Sequence, residues 1–397
     1  MRYFAYRLFQ CMMRIGSYLL PWRSPELLVG QNSLPELPAF LKRKGILSVL
    51  IVTDQRISSL GLMNGLLAGL KDEDISFSVY DKTVPNPTID NIEEALQIYI
   101  ENKHQGIIAF GGGSPMDCAK GVGARAAKPR KAIPQMKGLF KVLKKLPPIV
   151  AIPTTSGTGS EATVAAVITN PATHEKYALM DLSLIPRYAV LDPLLTVKLP
   201  PHITSTTGMD ALTHAVEAYI GRANTKQTKQ LAIEAAKLVF NNLYEAYSNG
   251  GNIEARANMQ KASHDAGIAF TRAYVGNVHA VAHALGGFYG TPHGLANAVV
   301  LPYVLEYYGQ SVYKPLAALW DATGQGGEDN EQKAKLFIEA VKTLNERTDI
   351  PDKISGIDEK DIPKLTEHAF KEANPVYPVP VIFSRDDFAK IFRMIRE

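Results

Sequence analysis

Three histidines in the stretch 276–294, GNVHAVAHALGGFYGTPHG, have a spacing that core packing alone would not favour. His279 and His283 lie four residues apart, which on a helix stacks both imidazoles on one face, one turn from each other. His293 follows a glycine-containing break, so a chain that turns back can aim a third imidazole at the same point. Upstream, Asp210 and His214 in GMDALTHAVEAY repeat the four-residue spacing and offer a carboxylate and another imidazole from a second helix. Imidazoles combined with one carboxylate suit Zn or Fe(II), so the expected chemistry is that of a single divalent metal held between helices. Read singly, each histidine is a hydrogen-bonded structural residue, and only the constellation points to a metal.

The elements ahead of these helices read as a nucleotide-binding α/β arrangement. ILSVLIVT, residues 46–53, is a short apolar run ending at Asp54, where a strand-end carboxylate can hold the hydroxyls of an adenosine ribose. A helical pattern over 57–70, the strand ISFSVY at 75–80, the break VPNPT at 84–88 and a helix over 89–102 follow. GIIAF at 106–110 then runs straight into GGGSPMD, with Pro115 in the first turn of the next helix. That order lets the backbone approach a pyrophosphate and presents free N–H groups and a positive dipole end to it. GGGSPM lacks the full GxGxxG spacing, and Asp54 precedes the glycines where the standard fingerprint puts its acid about 20 residues after them. The expectation is a nucleotide-fold variant, with a plain tight turn as the alternative.

PPIVAIPTTSGTGSEAT, residues 147–163, reads as a buried strand followed by a hydroxyl- and glycine-rich turn. Thr154, Thr155, Thr158 and Ser160 can bond ribose and nicotinamide oxygens there, although a surface turn has the same composition. Strand-like runs at 164–169 and 187–191 flank KYALMDLSLIP, in which Lys176 can meet a phosphate or a ribose hydroxyl. The basic segment 128–145 reads as a solvated loop. Beyond LPP at 199–201 the pattern turns helical, with helices expected near 203–220, 226–248, 253–270, 275–288, 294–308, 312–323, 330–347, 358–371 and 385–395. The fold class expected is α/β: a Rossmann-like nucleotide-binding domain over 25–199, then an all-helical metal-binding domain over 200–397, both behind an extension of residues 1–24.

Composition adds bounds. The 397 residues suit two domains, and a net charge of +4 is too slight to suggest nucleic acid as a partner. Cys11 and Cys118 make no disulfide framework, so a cytoplasmic setting is expected. Residues 1–23 hold Arg2, Arg7, Arg14 and Arg23 and no acid, so they carry the whole net charge. Arg7, Gln10, Arg14 and Ser17 would form one polar stripe, with Phe4, Leu8, Phe9, Met12, Ile15 and Leu19 largely opposite. The arginines interrupt any signal-peptide core, and the run is too short and charged to span a bilayer. A helix docked on the body or another subunit, a membrane-surface helix and a disordered leader all remain open.

The motifs GGGSPMDCAK (111–120), PTTSGTGSEAT (153–163), GMDALTHAVEAY (208–219) and VHAVAHALGGFYGTPHGLANA (278–298), in this order, resemble the iron-containing, group III alcohol dehydrogenases from about residue 25 to the end. The resemblance implies an NAD-linked alcohol dehydrogenase or aldehyde reductase with a dehydroquinate synthase-like two-domain build. It implies Asp210, His214, His279 and His293 as metal ligands, Fe(II) before Zn, and sets His283 beside the nicotinamide as the candidate proton relay. Asp54 would face the adenosine ribose, favouring NAD over NADP. Asn86, Gly112, Gly113, Ser114 and Asp117 would hold the rest of the dinucleotide, with Thr154, Thr155, Thr158 and Lys176 around its phosphates and nicotinamide ribose. Phe270 would face the substrate, as would Ala165, which stands where some relatives carry Asn, weakening polar recognition of a diol. The partners implied are a small alcohol or aldehyde and further copies of the chain, as a homodimer or larger homo-oligomer.

Three rivals accompany this expectation: a Zn-dependent glycerol or polyol dehydrogenase, a dehydroquinate synthase-type cyclase, and a non-catalytic tethered or assembly protein on the same fold. His264 and Asp265 are more polar than the family pattern suggests and read as helix surface or a local hydrogen bond. The resemblance is silent on residues 1–23.

Overall fold

The computed structural model describes residues 2–172 and 175–397. The chain divides into two compact units, Pro21–Lys198 and Leu199–Glu397, the second also including the start of the chain up to Leu20. Helix α1 (Arg2–Leu19) therefore belongs with the C-terminal unit.

In chain order the α/β unit contains β1 (Glu26–Val29), α2 (Leu37–Arg43), β2 (Ser48–Val52), α3 (Gln55–Ser59), α4 (Asn64–Asp72), β3 (Ser76–Tyr80), α5 (Ile89–Glu101), β4 (Gly106–Gly111), α6 (Gly113–Ala127), β5 (Gly138–Leu139), β6 (Ile149–Pro153), β7 (Ala165–Asn170), β8 (Glu175–Met180) and β9 (Tyr188–Leu191). Six strands pair in parallel in the order β1-β9-β6-β4-β2-β3. The apolar runs β4 and β6 are buried at every residue, as parallel strands with both faces covered must be. After β2 the chain adds β3 on one side and then β4 on the other, so the order reverses between them. The carboxyl ends of strands at such a reversal leave a crevice where open α/β sheets bind ligands. Asp54, Gly112 and Thr154 each follow one of the three neighbouring strands β2, β4 and β6 at this end.

The sequence pattern misjudges two details here. The single helix expected over 57–70 is broken into α3 and α4. KYALMDLSLIP, read as lying between strands, begins within β8, which pairs antiparallel with β7 in a small second sheet and sets Lys176 opposite Thr169. Strand β1 escapes the pattern altogether because it is a four-residue, mostly exposed edge strand, held by β9 more than 150 residues later in the chain.

The helical unit comprises α7 (Pro201–Ile220), α8 (Lys226–Ser248), α9 (Ile253–Ala273), α10 (Asn277–Tyr289), α11 (His293–Tyr308), α12 (Gln310–Ala322), α13 (Asn330–Arg347), α14 (Ile362–Ala373) and α15 (Arg385–Ile395). These nine match the helical periodicities, and α8, α13 and α15 agree to the residue, each opened by a side chain that accepts a backbone N–H at its start: Thr225, Asp329 and Ser384. Helix α7 is buried at every residue from Gly208 to Ile220, as expected of a helix surrounded by others. His264 and Asp265, expected at a helix surface, are buried in α9. The local bond was anticipated correctly: Lys261 donates to Asp265 one turn away.

Helix α1 docks through its polar stripe. Arg7 donates to the carbonyls of Val379 (2.6 Å) and Pro380 (2.8 Å), and Gln10 donates to those of Pro375 (3.1 Å) and Tyr377 (2.7 Å). Gln10 and Ser17 are buried, whereas Phe4, Leu8, Met12, Ile15 and Leu19 are exposed. No helix among the described residues is long and apolar enough to cross a membrane.

Candidate metal centre

Helix α7 presents Asp210, His214 and Glu217 at positions i, i+4 and i+7 on one face. Helix α10 contributes His279 and His283, then ends at Gly290 in the left-handed conformation, and α11 starts three residues later with His293. Gly294 allows that start to approach α7 closely, since a Cβ there would lie 2.4 Å from the carbonyl oxygen of Thr206. Asp210, His214, His279 and His293 each offer one donor atom, and all four atoms lie within 4.8 Å of one another. Tetrahedral ligands with bonds of about 2.1 Å lie about 3.4 Å apart, so the four donors need to draw in by about an ångström or so to close around one ion.

The hydrogen bonding at this point is that of a cation site. Asn297 Nδ2 lies 2.7 Å from Asp210 Oδ1, 3.2 Å from His279 Nε2 and 3.1 Å from His293 Nε2. An amide has two N–H groups, so three converging acceptors cannot all be satisfied by it, whereas a divalent ion satisfies them together. Burial, reinforced by the neighbouring imidazoles, holds His279 well below the usual histidine value; burial likewise brings His293 down to about 4, against the pull of Asp210. Both rings are therefore neutral near pH 7, the form that binds metal.

Glu217 fixes the orientation of this set. Its carboxylate accepts N–H bonds from Gly276 (2.8 Å) and Val278 (2.8 Å) at the start of α10, and His279 Nδ1 lies 2.6 Å away. Burial pushes the carboxyl up to about 8, but three converging N–H donors make it the acceptor. His279 then carries its proton on Nδ1 and leaves Nε2 bare toward Asp210 and His293. Gly276 is required by space, because a Cβ would sit 2.7 Å from Glu217 Oε1.

His283 shares the α10 face but takes a different partner. Its Nδ1 is bonded to Glu372 on α14, and Tyr377 donates to the same carboxylate oxygen at 2.7 Å. Burial lowers its pKa, but Glu372, Asp210 and Glu217 outweigh burial and raise it above the usual value. Its ring stacks on His293 with centroids 5.1 Å apart, and Phe270 stacks on His214 at 4.1 Å.

In the α/β unit, Gly112 caps α6, and Ser114 Oγ accepts the N–H of Asn86 at 3.2 Å. The Thr154–Thr158 turn packs on the glycines, with Thr158 Cγ2 only 3.1 Å from where a Gly113 Cβ would stand. Asp54 caps α3 by accepting the Ile57 N–H at 2.9 Å. Asp117 is turned to structural work, accepting from Ser160 Oγ (3.1 Å) and the Val167 N–H (3.0 Å). Lys176 is exposed on β8, and Ala165 opens β7 with its carbonyl accepting from the buried Lys120 at 2.8 Å.

Residues 24–193 match the family described as iron-containing alcohol dehydrogenase, and residues 204–395 match the C-terminal part of the Fe-containing alcohol dehydrogenase family. The chain belongs to the iron-containing alcohol dehydrogenase family. It is 39% identical over 373 residues to alcohol dehydrogenase 4 of Schizosaccharomyces pombe, covering 92% of this chain and 86% of that one. It is 34% identical over 352 residues to the NAD-dependent methanol dehydrogenase of Bacillus methanolicus, covering 88% and 92%. A solved 1,3-propanediol oxidoreductase superposes with a TM-score of 0.90 at 35% identity, covering 94% of this chain and 99% of that one.

For an iron-containing alcohol dehydrogenase, the sequence reading named the four donors but missed the residues behind them. Glu217 was findable, since it falls seven residues after Asp210 on the same helix. Asn297, four residues after His293, was also findable. Glu372 and Tyr377 give no local signal, because only the packing of α14 on α10 brings them to His283.

Glu217→Gln keeps the size of the side chain but replaces one of its two accepting oxygens with an N–H donor, so the Gly276, Val278 and His279 N–H groups can no longer all be satisfied. The expected result is a 10- to 100-fold loss of Zn(II) or Fe(II) affinity in competition with a chelator, and an unchanged affinity would remove Glu217 from this role. The lowered pKa of His293 predicts a pH effect as well. Between 6.5 and about 4 the unfolded chain binds a proton at this residue and the folded chain does not, so stability is full above pH 6.5 and falls as pH drops through that window. The urea midpoint of the metal-free protein should therefore fall less between pH 7 and pH 5 in His293→Gln than in wild type; equal falls would contradict the shift.

Proposed function

We propose that this chain is a metal-dependent, NAD(H)-linked alcohol dehydrogenase and aldehyde reductase that moves a hydride between a primary alcohol or aldehyde and nicotinamide. The observation that carries this reading is the convergence of Asp210, His214, His279 and His293 on one point, backed by the Glu217 bond to His279. These four residues hold the divalent ion, Fe(II) in preference to Zn. Once bound, it supplies Lewis-acid polarisation of the alcohol or carbonyl oxygen. NAD supplies the hydride acceptor.

The protein's own groups do the rest. His283 exchanges the proton, and Glu372 and Tyr377 hold its ring by Nδ1 so that Nε2 is the exchanging nitrogen. Residues 25–199 bind the dinucleotide through Asp54, Asn86, Gly112, Gly113, Ser114, Thr154, Thr155, Thr158 and Lys176. Asp117 supports that site from beneath, through Ser160. Residues 200–397 hold the metal, with Phe270 and Ala165 set toward the substrate. NAD is favoured over NADP because the Asp54 carboxylate would repel a 2′-phosphate. The enzyme works in the cytoplasm as a homodimer or larger homo-oligomer, and residues 1–23 form a contact surface for a membrane or another subunit.

Metal-reconstituted protein should oxidise NADH with short aldehydes, lactaldehyde or dihydroxyacetone. His283→Ala should lower kcat by about 10²- to 10⁴-fold and flatten its pH profile. No turnover with any of these carbonyls, despite bound metal and NADH, would contradict the assignment. Asp54→Ser keeps the helix cap and removes the charge, so the NADPH to NADH ratio of kcat/KM should rise about tenfold, equivalent to ~1.4 kcal/mol. An unchanged ratio would show that Asp54 does not select the cofactor.

A further inference from the structure

The segment 375–381, PVYPVPV, has to be held from outside. Pro375, Pro378 and Pro380 take away three backbone donors, so the segment cannot supply a hydrogen-bond ladder of its own, and residues 377–384 adopt no regular structure. Its carbonyls still need donors wherever water is kept out. The body of the helical unit meets two of them: the Arg222 N–H reaches Pro378 at 2.6 Å, and Asn277 Nδ2 reaches Val381 at 3.2 Å. Helix α1 meets four. Gln10 Nε2 donates to Pro375 (3.1 Å) and Tyr377 (2.7 Å), and Arg7 donates to Val379 (2.6 Å) and Pro380 (2.8 Å). Arg7 also donates to Gln10 Oε1 at 2.9 Å, so each side chain fixes the other.

Tyr377 joins this contact to the site. Its carbonyl is held by Gln10, and its hydroxyl donates to Glu372 Oε1 at 2.7 Å, the same oxygen that is bonded to His283 Nδ1. Glu372 lies in the last turn of α14, where a helix end restrains a side chain least, so the Tyr377 hydroxyl is what fixes its carboxylate. Helix α1, Tyr377, Glu372 and His283 all lie in one compact unit. The metal donors are not on this path, because Glu217 draws its N–H bonds from Gly276, Val278 and His279.

We propose that Gln10 and Arg7 are positioning residues for His283: by fixing the main chain of 375–380 they set the Tyr377 hydroxyl on Glu372 and, through it, the direction of the His283 ring. The catalytic consequence rests on the reading of His283 as the proton relay. Without the Gln10 amide, the carbonyls of Pro375 and Tyr377 turn to water, the Tyr377 hydroxyl leaves its place, and the Glu372 carboxylate and the imidazole bonded to it are free to rotate.

The test uses the full-length, Zn-loaded chain as wild type, Gln10→Ala, Tyr377→Phe and the double variant, with Arg7→Ala as a second break in the same contact. The kcat for aldehyde reduction should fall about tenfold in Gln10→Ala and in Tyr377→Phe and no further in the double variant, while KM for aldehyde and NADH and the Zn affinity against a chelator stay at wild-type values. In protein carrying isotope-labelled histidine, the imidazole N–H proton resonance of His283, assigned by its loss in His283→Ala, should shift or broaden in Gln10→Ala, Arg7→Ala and Tyr377→Phe. An unmoved resonance in Gln10→Ala and Arg7→Ala overturns the inference whatever the kinetics, as do kcat losses that multiply in the double variant. Unchanged kcat in Gln10→Ala where His283→Ala is impaired overturns it too. If His283→Ala keeps full kcat and the resonance still moves, the relay reading falls and the positioning of the ring stands.

Discussion

A buried carboxylate with three N–H donors is the constraint on which the helical unit depends. Glu217 sits on α7, fully enclosed, and accepts from the first amides of α10 and from the imidazole one turn further on. Removing such a group from water is costly unless every lone pair is used, and here the donors are backbone amides that need a negative partner at a helix start. One side chain therefore ties α7 to α10, sets the direction in which α10 leaves, and decides which nitrogen of His279 is bare. The metal donors inherit their geometry from a contact that none of them makes alone.

The second imidazole on α10 shows how two residues one turn apart acquire different roles. His279 is enclosed, held by a carboxylate on α7 and surrounded by other imidazoles, so it stays neutral and suits a metal. His283 is partly exposed, bonded to Glu372, and pulled up by three carboxylates, so it readily takes a proton. Tyr377, which orders Glu372, belongs to the same segment whose carbonyls receive α1. The segment thus carries the helix on one side and the His283 partner on the other.

Much of this was legible in the sequence because it is local. Helical periodicity located α7 to α15, and the i, i+4 pair 210/214 together with His279 and His293 located the metal donors. A glycine-rich turn after an apolar strand located the step from β4 into α6. What the sequence withheld is fixed by tertiary packing. Strand β1 is an exposed edge whose identity comes from β9. Glu372 reaches His283 only because α14 lies on α10. The composition of the turn at 154–160 suits either ligand-facing hydroxyls or a surface turn, yet Ser160 faces inward to Asp117 and Lys120. The pattern of residues 2–19 shows which face of α1 is polar, but not that the polar face is the one the body takes, because the backbone carbonyls at 375–380 that accept from it have no signature in the sequence.

In the function proposed above, Asp210, His214, His279 and His293 close on one metal while His283 stands aside for the proton. Anomalous scattering from crystals soaked with Fe(II) or Zn(II), recorded at the absorption edge of the metal, tests this most directly. One peak is expected in the helical unit, about 2.0–2.3 Å from an Asp210 carboxylate oxygen and from an imidazole nitrogen of each of the three histidines. A peak coordinated by His283 in place of one of them, or no peak among these residues, would contradict it.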